Sequence, residues 1–447
     1  MTIKIPQEVS WILHKLNQAG FEAYVVGGCV RDSLLGREPH DWDITTNAEP
    51  LQVKQIFKRT LDTGLQHGTV TVMNRGTGYE VTTYRIDGDY SDHRRPESVS
   101  FTKKLEEDLR RRDFTINAMA YHPDEGLKDF FDGEKDLREG IIRAVGDPDE
   151  RFDEDALRIM RAVRFAAQLG FTIEEKTREA IKAHAGELSM VSVERIEAEL
   201  TKLICSPHPE ETEELYKLGI TAVILPEFDR MMETPQNTPY HFTDVGHHTI
   251  VVMQNVSPSK IMRYTALLHD IAKPECRSVD EKGVDHFYNH PERGEPLAEK
   301  IMRRLKLDNH TIEEVKLLVR WHDFGIKDEM TAARFRRGMN RMGIEHFPEY
   351  LEIRLADMAG QSDYRLEEKK ARAELIQKLY REQLENSPAL TLKDLAVKGR
   401  DLMDAGIQAG PEMGNILKEL MDMVLEDPAL NEKNVLLEAA KKLSNRH

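Results

Sequence analysis

Residues 25–46, VVGGCVRDSLLGREPHDWDITT, constrain this chain more than any other stretch. A short apolar run, Tyr24–Val26, stops at Gly27-Gly28; a polar, charged segment follows and closes on Asp41-Trp42-Asp43. Alternation along an extended strand turns Asp41 and Asp43 to one side and Trp42 to the other. Neighbouring carboxylates repel unless a cation lies between them. An all-oxygen ligand set suits Mg2+, which takes one or two carboxylates together with substrate phosphates. The glycine pair lets the backbone come close to a phosphate, and Val30–Leu35 reads as a helix start whose N-terminal end favours anions. Together these features predict metal-assisted chemistry on a nucleoside triphosphate.

The chain has 447 residues, more than one ordinary domain holds, so several are expected. With 32% charged and 40% hydrophobic residues it reads as a soluble, largely helical protein. The net charge of −16 excludes a general polyanion binder, so any nucleic acid must be met by local basic patches. No apolar stretch approaches a membrane span, and residues 1–20 read as an amphipathic helix rather than a secretory signal. Cys29, Cys205 and Cys276 lie far apart with no disulfide or metal-ribbon spacing, which fits a reducing cytosol and a cytoplasmic protein.

Short strand patterns at Ala23–Val26, Thr69–Met73, Glu80–Tyr84 and Val99–Phe101 alternate with turns and short helices up to about residue 145. From about Asp149 onward helical spacing takes over, in Asp153–Leu169, Lys176–His184 and Val193–Ile204. His67–Val72 alternates as a half-buried strand should, and so does Glu80–Arg85. Beside the aspartate strand Glu80 would be a third carboxylate; at a sheet edge it would only be solvated. Asp87–Ser98 is polar, rich in turn formers, and reads as a mobile loop.

Two further segments carry chemistry. In Leu109–Tyr121, LRRRDFTINAMAY, Arg111 and Arg112 offer forked donors for phosphate and ribose oxygens, and Asp113 and Asn117 can orient an arginine or accept from a sugar hydroxyl. In Asp147–Phe171, a helix is expected to begin at Glu154-Asp155-Ala156-Leu157-Arg158, with Asp155 and Arg158 on one face. An aspartate only accepts and an arginine only donates. Cytosine and adenine both present an amino donor beside a ring-nitrogen acceptor, whereas uracil and guanine present the reverse. A facing Asp155/Arg158 pair would therefore take C and A and reject U and G through mismatched buried polar groups. Arg161 and Arg164 lie further along, with phosphate or RNA as possible partners.

GGCVRD followed by DWD, the RRDFTxNA string and the EDxxR string agree in order and spacing with the nucleotidyltransferase superfamily of bacterial-class tRNA nucleotidyltransferases and poly(A) polymerases, which this chain closely resembles. The resemblance implies an α+β protein: a catalytic α/β head with a mixed sheet (1–145), a helical base-reading neck (146–205), body helices (206–239) and a helical tail (363–447). It implies transfer of CMP, CMP and AMP from CTP and ATP to the tRNA 3′ end without a nucleic-acid template. Asp41, Asp43 and, less securely anchored, Glu80 would serve two Mg2+ ions. Gly27, Gly28, Arg31, Asp32, Arg111, Arg112, Asp113, Asn117, Asp155, Arg158, Arg161 and Arg164 would serve the nucleotide. The Phe131–Asp136 segment with Ile142-Arg143 resembles the hinge between head and neck. Poly(A) polymerase shares these motifs; the HGTVTV string at His67–Val72 looks like the CCA-adding version. The loop at 87–98 resembles the one associated with the final A, so a partial enzyme adding only A or only CC is the next rival.

Residues 240–362 are rich in histidine. His248, the His269-Asp270 pair at the end of an apolar helix, and the distant Asp357 resemble the HD superfamily of metal phosphohydrolases, with His290 and His322 available to a second metal. Imidazole with carboxylate suits Mn2+, Fe2+, Ni2+ or a similar ion. A phosphohydrolase whose N-terminal half merely binds nucleotide is the reading of another class. Lys369, Lys370, Arg372, Lys378 and Arg381 in the tail, or the cluster Arg334–Arg341, would touch the tRNA.

Overall fold

The computed structural model describes residues 3–88, 99–325, 330–386 and 390–444, so most of the 87–98 loop lies outside the described residues. The chain divides into two compact units, one of residues 1–229 with 304–306, the other of residues 230–303 with 307–447. Among the described residues no helix is long and apolar enough to cross a membrane.

The first unit opens with the amphipathic helix α1 (Gln7–Gln18), which buries Val9, Ile12, Leu13 and Leu16. Strand β1 (Ala23–Val26) follows, then α2 (Gly28–Leu34), β2 (Asp43–Thr46) and α3 (Pro50–Ile56). β3 (Thr60–Gly64), β4 (Thr69–Asn74) and β5 (Thr77–Thr83) come next, then the small pair β6 (Arg85–Asp87) and β7 (Val99–Phe101). After α4 (Leu105–Arg110), strands β8 (Met119–His122) and β9 (Gly126–Asp129) complete a seven-stranded sheet in the order β3-β4-β5-β2-β1-β8-β9. The sheet is mixed: β2 and β5 run parallel, and the other neighbours are antiparallel. β1 is apolar throughout because both its faces are covered, the mark of a central strand. Tyr24, Val26, Tyr84, Leu105, Leu109, Ala118, Ala120 and Val145 pack together on one side of it.

The predicted strand at His67–Val72 starts later than expected. Leu65–His67 form a 3-10 turn, Gly68 sits at φ +84°, and only from Thr69 does the chain join the sheet. The helix expected to begin within Glu154–Arg158 does so, as α7 (Leu157–Leu169); before it, after α5 (Gly133–Glu139), a separate helix α6 (Pro148–Glu154) stops at Asp155. The break has a local cause. The Asp155 carboxylate accepts the Leu157 amide at 3.1 Å, satisfying a donor that would otherwise be orphaned at the new helix start. α7 packs against α9 (Val193–Ile204), with α8 (Glu175–His184) against α6.

The second unit is helical apart from one short hairpin, Arg277–Val279 with Asp285–Phe287. Helices Val245–Gln254, Lys260–Leu268, Asn309–Trp321 and Phe347–Ala359 pack on one another around a buried histidine cluster.

Candidate functional site

The parallel register pairs Ile44 with Val81, which places Asp43 alongside Glu80 one residue earlier on each strand. Desolvation by the surrounding protein pushes the Asp43 carboxyl up; the Arg112 guanidinium opposes this and the Asp41 charge adds to it. Glu80 is raised by the same desolvation, then by Asp43 and Asp41. Asp43 feels the charge of Asp41, Glu80 feels both, and the strand pairing sets Glu80 beside Asp43. Such mutual repulsion is what a divalent cation relieves, so the residues present fit Mg2+.

That repulsion carries a sign. A carboxyl raised in the native protein keeps a proton that the unfolded chain has already lost, so stability falls as pH rises from the ordinary carboxylate range through the raised one. Thermal melts between about pH 4 and pH 8 in chelator are expected to show this decline, and Mg2+ is expected to abolish it. A decline unaffected by Mg2+ would separate the three carboxylates from any metal.

Gly27 is required by space as well as by conformation. Its φ is +81°, and a Cβ there would meet Arg112 Nη1 at 2.9 Å. Arg112 is half-buried beside Gly27 and Asp43, and its Nε is buried with no hydrogen-bond partner among the described residues. Gly27→Ala is expected to cost about 1–3 kcal/mol in a thermal or denaturant melt and to weaken nucleotide binding, because it strains the turn and displaces Arg112 together.

A continuous polar chain then leads from this turn to α7. Arg31 on α2 holds both Asp32 oxygens and donates to Asn117 Oδ1 at 2.7 Å. Asn117 Nδ2 donates to Asp113 Oδ1 at 3.1 Å, and Arg161 grips Asp113 Oδ2 at 2.8 and 2.5 Å. Burial alone would raise the Asp113 carboxyl, but Arg161, Asn117 and Arg158 overcome it and hold it down at about 2. Arg31, Arg161 and Arg164 all lie over the Phe165 ring. Arg111 donates to the fully buried Asp108, which also accepts from Thr45, so the arginine motif is pinned to the aspartate strand.

Arg158 points back to the same segment, donating to the Arg111 carbonyl at 2.9 Å and pairing with Glu154. Asp155 does not pair with it. The Asp155 carboxylate instead takes Arg195 Nη2 at 2.7 Å. Asp155 and Arg158 are thus each held by a partner of their own, Arg195 and Glu154. The expectation for Arg164 is corrected: it is only 6% exposed and committed to Glu199 and Gln168, a buried structural pair rather than a phosphate or RNA contact. Arg195 was not singled out from the sequence; an arginine on a helix carries no signal until folding brings it to Asp155.

In the second unit His248, His269, Asp270 and Asp357 lie in one cluster, joined by His290 and His322. Lys273, Asp323 and Arg354, to which the sequence reading gave no role, are part of the same cluster. Of the tail cations, Lys370 and Lys378 pair with glutamates of their own helix. Arg334, Arg337 and Arg341 instead line a concavity of about 860 Å3 with Arg320 and Trp321.

Comparison with known proteins agrees with this geometry. The family described as Poly A polymerase head domain matches residues 23–143, and the one described as "Probable RNA and SrmB- binding site of polymerase A" matches 170–232. A tRNA nucleotidyltransferase domain 2 family matches 293–440. The chain is 38% identical to the CCA-adding enzyme of Levilactobacillus brevis over 429 residues, 96% of each chain. The crystal structure of the Bacillus stearothermophilus CCA-adding enzyme in complex with CTP is similar at TM-score 0.71 and 29% identity, covering 98% of both chains. The Thermotoga maritima CCA-adding enzyme complexed with tRNA shares the fold at TM-score 0.61 and 21% identity over 98% of this chain and 96% of that one. With a mixed-sheet head, three motifs drawn to one end of it and relatives matched along nearly their whole length, this chain belongs to the family of CCA-adding enzymes, the tRNA nucleotidyltransferases.

Proposed function

We propose that this protein adds CMP, CMP and AMP in turn to the 3′ end of tRNA, using CTP and ATP and releasing pyrophosphate. The tRNA 3′ hydroxyl attacks the α-phosphate in line, the new phosphodiester forms, and the bond to the β-phosphate breaks. The observation that carries this reading is the alignment of Asp43 with Glu80, with Asp41 beside them, next to the Gly27 turn and the Arg112 guanidinium. Asp41, Asp43 and Glu80 would hold two Mg2+ ions. When bound, Mg2+ supplies charge neutralisation at the leaving pyrophosphate and a more acidic attacking hydroxyl.

The remaining roles belong to the chain's own groups. Gly27 and Gly28 let the backbone approach the triphosphate, and Arg112 donates to it. Arg31 with Asp32, Asn117 with Asp113, and Arg161 fix the wall against which the ribose lies. Arg111 braces that wall through Asp108. Asp155 accepts from the exocyclic amino group of cytosine or adenine, and Arg158 donates to the adjacent ring nitrogen. Of the two candidate tRNA contacts this reading takes the cavity of about 860 Å3, where Arg334, Arg337 and Arg341 of one helix gather with Arg320, although Arg337 also pairs with Glu426; in the tail Lys370 and Lys378 pair with glutamates of their own helix. A cytoplasmic location is in keeping with action on tRNA.

Incubating the purified chain with tRNA lacking its 3′ end, with each nucleoside triphosphate singly and in mixture, and sequencing the products tests this reading. CCA ends only from CTP plus ATP are expected. A run of adenosines would assign poly(A) polymerase, and C or CC alone would assign a partial enzyme.

Arg195 acts here as a positioning residue through Asp155. Its Nη1 is buried without a hydrogen-bond partner among the described residues, so the side chain is held by Asp155 alone on that end. Arg195→Ala is expected to lower C and A incorporation about tenfold, the worth of one charge-assisted hydrogen bond of about 1.5 kcal/mol. It should also raise the relative use of UTP. Arg195→Lys should restore most of the discrimination, which rescue of mere folding would not explain.

A further inference from the structure

We propose that Phe165 is a positioning residue of the nucleotide site: its ring gathers the guanidinium groups of Arg31 and Arg161 and so fixes the wall against which the ribose lies. The inference rests on the nucleotidyl-transfer reading and extends it to a side chain with no polar atom to offer a substrate.

The ring draws its arginines from two helices. Arg161, Arg164 and Phe165 stand on α7, and Arg161 and Phe165 are four positions apart, so they share a face of that helix. Arg31 comes from α2. The Cζ atom of Arg31 lies 5.0 Å from the centre of the Phe165 ring, that of Arg161 5.2 Å and that of Arg164 3.8 Å. All three are within the reach of about 6 Å over which the negative face of an aromatic ring attracts a cation. The ring is only 5% exposed, so little water is present to screen that attraction.

Three like charges do not gather unaided. Each is first tied to a carboxylate of its own: Arg31 to Asp32, Arg161 to Asp113 and Arg164 to Glu199. Asp32 lies on α2, Asp113 beyond α4 and Glu199 on α9, so the anchors belong to three different parts of the unit. What the three arginines share is the ring. Arg164, held by Glu199 and Gln168, is the structural member of the three. Arg31 and Arg161 are the two that reach the nucleotide site.

Phe165 closes a circuit between them. Arg31 donates to Asn117 at 2.7 Å, Asn117 donates to Asp113 at 3.1 Å, and Arg161 donates to the other Asp113 oxygen at 2.8 Å. Hydrogen bonds alone would leave this chain open at its two ends. Both ends lie over Phe165, which sets the angle at which each guanidinium presents its remaining N–H groups. The ring is itself held: Phe114, next to Asp113, meets it nearly at right angles with the centroids 5.8 Å apart. Asn117 and Asp113, the groups suited to a sugar hydroxyl, sit in the middle of the circuit, so slack in the ring contact falls on recognition of the ribose.

Fluorination tests this, because it withdraws charge from the face of the ring while nearly keeping its shape. In the full chain Phe165 is replaced by mono-, di- and trifluorinated phenylalanine through nonsense suppression. KM and kcat are then measured for CTP and for 2′-deoxy-CTP on tRNA lacking its 3′ end, with a thermal melt of each variant. KM for CTP is expected to climb with each added fluorine, to about tenfold in the most fluorinated variant, with kcat changed less. Preference for CTP over 2′-deoxy-CTP should fall in the same order, while preference for CTP over UTP, set by Asp155 and Arg158, should hold. Phe165→Leu, which removes the ring, should lie at the far end of the series. KM and sugar preference indifferent to fluorination would overturn the proposal and leave Phe165 a packing residue, whatever Phe165→Leu does to folding. A loss of CTP-over-UTP preference in step with the sugar preference would overturn it as well, since the ring would then act on the whole site. Failure of the unsubstituted chain to incorporate C would be a different result, one that removes the nucleotidyl-transfer reading and this inference with it.

Discussion

Incorporation of C and A onto tRNA lacking its 3′ end falls by about a thousandfold or more when Asp41 and Asp43 are both replaced by alanine, the expected loss of several kcal/mol of transition-state stabilisation. The direction of the accompanying stability change distinguishes this from unfolding. Asp43 and Glu80 are both raised by desolvation and by the charges of their neighbours, so the carboxylate group is under repulsive stress without a cation. Removing two of its members relieves that stress, and the metal-free variant should melt at the same temperature as the parent or above it. Glu80→Gln should produce a smaller loss in rate, because Glu80 reaches the group from a neighbouring strand. Radiolabelled CTP and ATP incorporation, with thermal melts in chelator, measures both. Retained incorporation in the double variant would end the reading of this pocket as the reaction centre.

The second large effect is on choice of base. Arg158→Ala or Asp155→Ala is expected to reduce the preference for CTP and ATP over UTP and GTP by about a hundredfold or more, since sites built to pair buried polar groups gain discrimination of order 10⁴ from the mismatch penalty. Because Asp155 and Arg158 are held by different partners, Arg195 and Glu154, the two changes are separable. Arg158→Ala also releases the Arg111 carbonyl and should therefore raise KM for every nucleotide, whereas Asp155→Ala should act mainly on the identity of the base. Competition between nucleotide pairs, read as ratios of kcat/KM, separates the two. Unchanged ratios in both variants would assign base choice to other residues.

Much of the site was legible because its parts are local. The glycine pair, the aspartates two apart and the arginine run announce themselves within windows of a few residues, and short strand patterns located β1, β4, β5 and β7 within a few residues of where they lie. The second-unit histidines were grouped by the order in which they resemble a known family, since they come from different helices. Glu80 was ambiguous, since alternation says which face a residue takes but not which strand lies beside it. α7 starts within the expected segment, but the separate helix α6 just before it was not foreseen, because an aspartate can continue a helix or cap a new one and the choice depended on the Asp155 carboxylate reaching the Leu157 amide. Arg164 resembled its functional neighbours on α7 until Glu199, 35 positions away, claimed it.

By itself the sequence determined the inventory: which side chains can hold a divalent cation, which can read a base edge, and which segments form strands or helices, because these follow from residue chemistry and short-range geometry. Only the tertiary structure decided the assignments. Parallel pairing of β2 with β5 set Glu80 beside Asp43, Arg195 claimed Asp155, and Glu199 claimed Arg164. Each of these is a contact between residues far apart in the chain, and hydrogen-bond partners at that separation are chosen by packing, which no local pattern encodes.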